Sequence, residues 1–269
     1  MTSTMFGKRS ETAAVEHRER KNRRFLEVVL GDFGRLVRLN LLLCVVVLPS
    51  GLLYALVLGG GGGGWALMLA LVASSPVGGA IAASMFCVTQ ILQRESVSIW
   101  FDFKRKFVES VRQLALPGIV MSAFIFAEFY FWAMVFSGAD VGIWAAVLLL
   151  LSLCLVLMVS PYVFLQVAYL DARLGRVLVN ALVLSSSNVL RTFAGMLCAS
   201  FVWFALALFL PVSLVLVPGV ILFGFSLSLL ANLVFIWPIV DMQFGISDEL
   251  KARRAEGVRD VIPLFGPPE

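Results

Sequence analysis

In the stretch SAFIFAEFYFWAMVF, residues 122–136, one carboxylate, Glu128, stands among apolar and aromatic neighbours. An ionised, unpaired carboxylate in hydrocarbon is costly, so a group so placed should face other helices and be either protonated or paired with a polar side chain. Asn40, Gln90, Gln166 and Asn232 are uncharged polar residues in comparable apolar runs, and they are the candidate partners of Glu128 in an intramembrane polar site. Such a set could line a path for a proton or a small molecule; the competing reading is satisfied packing.

Most other chemistry is excluded by what the chain lacks. Its single histidine, His17, has no second histidine with which to hold zinc, and lies too far from the apolar runs to build a Ser-His-Asp triad there. Cys44, Cys87, Cys154 and Cys198 fall in four different apolar runs with no C-x-x-C spacing, which marks them as packing residues. The run GGGGGG at 59–64 is followed by no Lys-Ser/Thr pair, so it reads as a flexible turn and not as a phosphate loop. No catalytic, metal or cofactor residues emerge, and the expectation is a non-enzyme.

The elements that must position these polar groups follow from composition. Hydrophobic residues make up 60% of the chain and charged residues 14%, with a mean hydropathy of +0.96, against about 45–50% and about 25% in soluble domains. The apolar residues gather into runs of roughly 20 or more, the length of helix that crosses about 30 Å of hydrocarbon. Spans are expected at 39–58, 65–92, 114–137, 142–169, 192–213 and 217–240. The fold class is all-α, a polytopic membrane bundle of six transmembrane helices over residues 39–240. Pro211, Pro218 and Gly219 divide the last pair into a hairpin.

All 21 Lys and Arg precede the first span, separate spans two and three, separate spans four and five, or follow span six, while the alternate turns hold none. The positive-inside rule then puts both termini in the cytoplasm of a cell-membrane protein. Residues 1–22 read as a disordered tail and 241–269 as a flexible cytoplasmic one. Residues 23–38 carry apolar side chains at helical spacing, which predicts an interfacial helix whose Arg23, Arg24, Arg35 and Arg38 face lipid heads or simply set topology. A second amphipathic helix is expected from QRESVSIWFDFKRKFVESVRQ, where Trp100 interleaves with Lys104, Arg105 and Lys106 as a lipid or partner surface. The formal charge of +4 is already used by topology and leaves no case for nucleic acid.

Prolines in LPSG, ASSPVGGAIAAS, VSPY and FIWPIV interrupt four of the spans, and Gly78, Gly79, Ala82 and Ala83 offer a face that another helix can approach closely. The order of RLVRLNLLLCVVVLPSG, SSPVGGAIAASMFCVTQILQRE, VSIWFDFKRKFVESVRQ and SPYVFLQVAYLDARLGRVLVNALVLSSSN resembles the YesL-like family of small bacterial multi-pass membrane proteins. The resemblance covers residues from about 33 to 240 and brings no established functional residue. It implies an accessory or scaffold role in carbohydrate uptake or its sensing, beside ABC sugar transporter or sensor-kinase subunits. The alternative is a small-molecule transporter or channel that uses Glu128.

Overall fold

The computed structural model describes residues 30–60, 63–93, 98–138, 142–170, 172–208 and 223–246, and the regular elements among them are all helices. In chain order these are α1 (Phe33–Leu58), α2 (Gly63–Ala73), α3 (Val77–Leu92), α4 (Ile99–Phe136), α5 (Ile143–Tyr169), α6 (Leu174–Ser187), α7 (Val189–Leu208) and α8 (Phe225–Phe244). Five helical stretches are long and apolar enough to cross a membrane, with α2 and α3 counted as one, and α6 with α7 forms a sixth candidate bent by 96°. The chain is therefore a multi-pass membrane protein by the length and composition of its helices. His17, Arg23, Arg24, the expected tail at 1–22 and residues 247–269 of the tail expected at 241–269 lie outside the described residues, as does the turn around Pro211 and Pro218, whereas α8 itself continues to Phe244.

The basic, aromatic segment expected as a surface helix is the start of a longer one, and so are residues 33–38 of the helix expected at 23–38, whose first seven residues lie outside the described ones. Phe33 to Leu58 is one continuous helix, so residues 33–38 run straight into the first span, and the Arg35 guanidinium pairs with Asp32 at 2.8 Å. Ile99 to Phe136 is likewise continuous, so the basic, aromatic segment is collinear with span three instead of lying across the surface. Both helices run through these junctions without a break, α4 even past Pro117. Asp102 accepts a hydrogen bond from the Ser98 backbone N–H at 3.0 Å, which closes the first turn of α4.

The far end of the bundle is built from turns. Gly60 and Gly63, in the glycine run between α1 and α2, have φ of 78° and 53°, values that glycine adopts without steric cost. The second span is broken at Ser74–Pro76, as its SSP sequence predicts.

Immediately after that break α3 meets α4 at backbone contact. A Cβ on Gly78 would stand 2.4 Å from the Leu114 carbonyl oxygen, one on Gly79 would stand 2.7 Å from Val111 Cα, and one on Gly118 would stand 2.6 Å from the Gly78 nitrogen. The small-residue face is thus consumed inside the molecule. Ala82 and Ala83 are fully buried with it, so this face is not available to contact a partner protein.

Burial is lopsided along the bundle. Towards the near end, where α1 begins and α3 and α5 finish, residues 82–91 of α3 and 161–170 of α5 are buried without interruption. Towards the far end α5 exposes Ile143, Trp144, Leu148 and Leu151, and α4 exposes Phe129, Trp132 and Phe136. Prolines lie within α1 (Pro49), α4 (Pro117), α5 (Pro161) and α8 (Pro238).

α7 and α8 form an antiparallel pair. The Ser228 hydroxyl donates to the Ala199 carbonyl at 3.0 Å, and Trp203 packs edge-on against Phe225 at 4.9 Å. Before them α6 packs Val177, Ala181 and Leu184 inward, and Gln113 of α4 donates to the Ala172 carbonyl at 2.7 Å, fixing the approach to α6.

Candidate functional site

The polar residues in the apolar helices do not converge on Glu128. Glu128 is turned inward and 7% exposed, with Oε1 lacking a hydrogen-bond partner among the described residues. It lies ten residues beyond Gly118, hence about 15 Å to the far side of the α3–α4 crossing. Phe126, two residues earlier and so on another side of α4, stacks on Tyr54 at 4.7 Å.

Asn40 is spent on architecture. Its side-chain oxygen accepts the Ser226 backbone N–H at 2.8 Å, which ties α1 to the start of α8, where the first amides of a helix have no helical acceptor. Gln90 is buried near the end of α3.

Gln166 and Asn232 belong to a different constellation, set towards the near end. Along α5, Tyr162, Gln166 and Tyr169 recur at intervals of four and three, so they share one face, and all three are buried. The Tyr162 hydroxyl pairs with Thr192 of α7 at 2.8 Å, and the Tyr169 hydroxyl pairs with Thr89 of α3. Tyr169 also packs against Phe86 at 5.1 Å and Trp237 of α8 at 5.3 Å. The stripe therefore has three walls, α3, α7 and α8.

Between the two satisfied tyrosines, Gln166 is 0% exposed, and neither its Nε2 nor its Oε1 has a partner among the described residues. Ser84 Oγ and Asn232 Oδ1 are buried and unpartnered in the same way. Ser84 and Asn232 each sit five residues before the Thr89–Tyr169–Trp237 layer, and Gln166 sits three before it. On helices running in the same direction, all three fall about 5 to 8 Å to its far side. An amide, a hydroxyl and a second amide at one depth can hydrogen-bond water or a small uncharged molecule.

Among the residues expected at a lipid or partner surface, Trp100 and Lys104 are exposed and Arg105 is half-buried, 3.6 Å from Asp102. Lys106 departs from that expectation. It is 6% exposed, pairs with Glu109 at 3.0 Å and lies 5.0 Å from the centre of the Phe86 ring. The phase of α4 that brings Gly118 onto Gly78 turns Lys106 towards α3, and a cation–π contact with Phe86 takes the place of water. Arg38 is exposed on α1.

Sequence reasoning missed Tyr162, Tyr169, Thr89 and Thr192. Their spacing was available, since a tyrosine pair seven residues apart on an apolar helix marks one polar face, but only contact with other helices reveals the threonine partners. Replacing Tyr162 with Phe should lower stability by about 1 kcal/mol, the worth of one buried hydrogen bond. Thr192 keeps its bond to the Asn188 carbonyl at 2.9 Å, so a thermal-unfolding midpoint that falls only slightly is the expected reading, and an unchanged one would contradict the bond.

Among the described residues no group of three His, Cys, Asp or Glu stands together in a metal-binding arrangement. Compared with protein-family models, with curated proteins and with solved structures, the chain matches none.

Proposed function

We propose that this integral membrane protein is a non-enzymatic accessory or scaffold component, with both termini in the cytoplasm and a role in carbohydrate uptake or its sensing. The role itself rests on the resemblance to the YesL-like family, whose pattern spans the helices from α1 to α8. The observation that carries the docking function is the start of α4. This helix has 38 residues, about 57 Å of helix where about 30 Å of hydrocarbon needs roughly 20 residues. Its surplus length is at the basic end, where Trp100 and Phe101 are 61% and 74% exposed beside Lys104. Exposed aromatics next to a cation are the side chains that anchor protein partners.

The test is affinity purification of the tagged full-length protein from its native membranes in mild detergent. A membrane subunit of a carbohydrate ABC importer, or a sensor kinase, should be enriched. Converting Trp100 and Phe101 to Ser should reduce that enrichment roughly fivefold or more. Enrichment of neither class over a control membrane protein would sink the proposal.

A second reading, a small-molecule transporter or channel, is favoured by one observation: Gln166, wholly buried with both polar atoms unmet. Glu128 stands in the other half of the bundle, so it would act there as a separate station. Uptake into vesicles containing only this protein, lost when Glu128 becomes Gln, would support a proton-coupled form; a fully active Glu128→Gln protein would exclude that form.

A further inference from the structure

The segment between α5 and α7 does more than connect two crossings. α6 is a helix of 14 residues that meets α7 at 96°. A chain segment with that bend either dips into the membrane and returns, or lies along its surface. The arginines separate the two. Arg173 caps the first end of α6, and Arg191 follows the bend at its other end, and both are exposed. A dipping segment would carry the bend, and Arg191 with it, into hydrocarbon, where an exposed guanidinium is strongly disfavoured. Both ends of α6 must therefore sit at headgroup level.

The sides of α6 agree. Next to the face packed on the bundle, Leu178, Val179, Leu182 and Val183 form an exposed apolar sector. Arg176 and Asn180, one turn apart, stand on the remaining side with Arg173. A helix with one side on protein, one apolar and exposed, and one cationic fits the boundary between acyl chains and headgroups. From Ala172 to Leu208 the sequence holds these three arginines and no acid, the nearest being Asp171 just before.

We infer that α6 is a membrane-surface helix that binds anionic phospholipid headgroups through Arg173 and Arg176, with Leu178, Val179, Leu182 and Val183 in the acyl boundary. The two positive charges draw the anionic headgroups, and the leaflet is the one at the near end of the bundle. The surface is distinct from the start of α4 and stands whether or not a protein partner docks there.

The experiment uses the full-length protein in mixed phosphatidylcholine and phosphatidylglycerol, with bound lipid read by native mass spectrometry. The wild type should retain phosphatidylglycerol in preference. Arg173→Gln with Arg176→Gln should reduce that preference about tenfold, whereas Arg173→Lys with Arg176→Lys should keep most of it and show that the fold survives change at these positions. A photo-reactive benzoylphenylalanine at Val179 should cross-link to lipid acyl chains, and the same group at Asn180, on the headgroup side, should reach them far less. Unchanged phosphatidylglycerol retention in the double Gln variant would overturn the headgroup site. Equal lipid cross-linking from positions 179 and 180 would overturn the surface orientation.

Discussion

Alanine at Gly78 or at Gly118 will cost the protein at least about 3 kcal/mol of stability, at the upper end of what overpacking causes. The added methyl group would meet backbone atoms at 2.4 Å and 2.6 Å. Backbone cannot rotate away as a side-chain tip can, so α3 must separate from α4 along the whole contact that buries Ala82, Ala83 and Leu114. The measurement is thermal unfolding in detergent, with the monodisperse fraction after purification as a second reading. Gly51 supplies the control: nothing lies within 4 Å of a Cβ built there, and Gly51→Ala should be neutral or stabilising by up to about 1 kcal/mol, as helix propensity requires. A Gly78→Ala protein that melts with the wild type would show that the two helices do not touch at backbone distance.

Gln166→Met, by contrast, will stabilise the protein, by about 1 to 3 kcal/mol. Burying both ends of an amide without a partner forfeits the hydrogen bonds that water gave it in the unfolded chain, and methionine of similar volume removes that loss while filling the same space. The comparison with Tyr162→Phe is informative, because that residue sits one turn away on the same face with its hydroxyl satisfied by Thr192. Two neighbouring polar-to-apolar substitutions should therefore move the unfolding midpoint in opposite directions. A fall with Gln166→Met would mean that the amide is hydrogen-bonded in the folded protein, by a bound water or a ligand. Proteins retain unmet polar groups of this kind chiefly where stability is given up for function.

How much of this was legible in the sequence depends on the range of the interaction. The stretch ASSPVGGAIAAS announced a break followed by a close helix approach, and both occur, because glycine and proline act through the backbone at the position where they stand. Which helix would use the Gly78–Gly79 face was not legible, and the face proved to be internal. Lys106 was misread for the same reason: whether a cation on an amphipathic turn faces water depends on the rotation of α4, and that is set at Gly118, twelve residues on.

α6 was passed over because its exposed apolar sector and its buried one merge in a helical projection, which left RVLVNALVLSSS as no more than part of the segment between spans four and five. The unmet state of Gln166 lies beyond sequence altogether. An amide in an apolar helix was visible as a candidate, but the absence of a partner is a property of every helix around it. Glu128 and Gln166 looked alike as polar intruders, although the expected spans 114–137 and 142–169 already put Glu128 near mid-span and Gln166 three residues from an end.

Four of the prolines, Pro49, Pro76, Pro117 and Pro161, fall on a single level, while Pro238, next to Trp237 in the Tyr169 layer, lies about 18 Å towards the near end. Pro76 and Pro117 flank the Gly78–Gly118 crossing directly. Pro161 lies eight residues before Tyr169, whose partner Thr89 is eleven beyond Gly78, and Pro49 lies five before Tyr54, whose stacking partner Phe126 is eight beyond Gly118. Counted at 1.5 Å per residue, both come within about 5 Å of the crossing. Each proline denies its helix one i→i−4 hydrogen bond, so four successive strokes of the chain are weakest at the same height. Above that height the helices have few fully buried side chains, and below it they share a continuous core. The proline level is a seam: on one side the glycine clasp and a continuous core enclose the stripe that holds Gln166, and on the other stand the more exposed helix ends that carry Glu128.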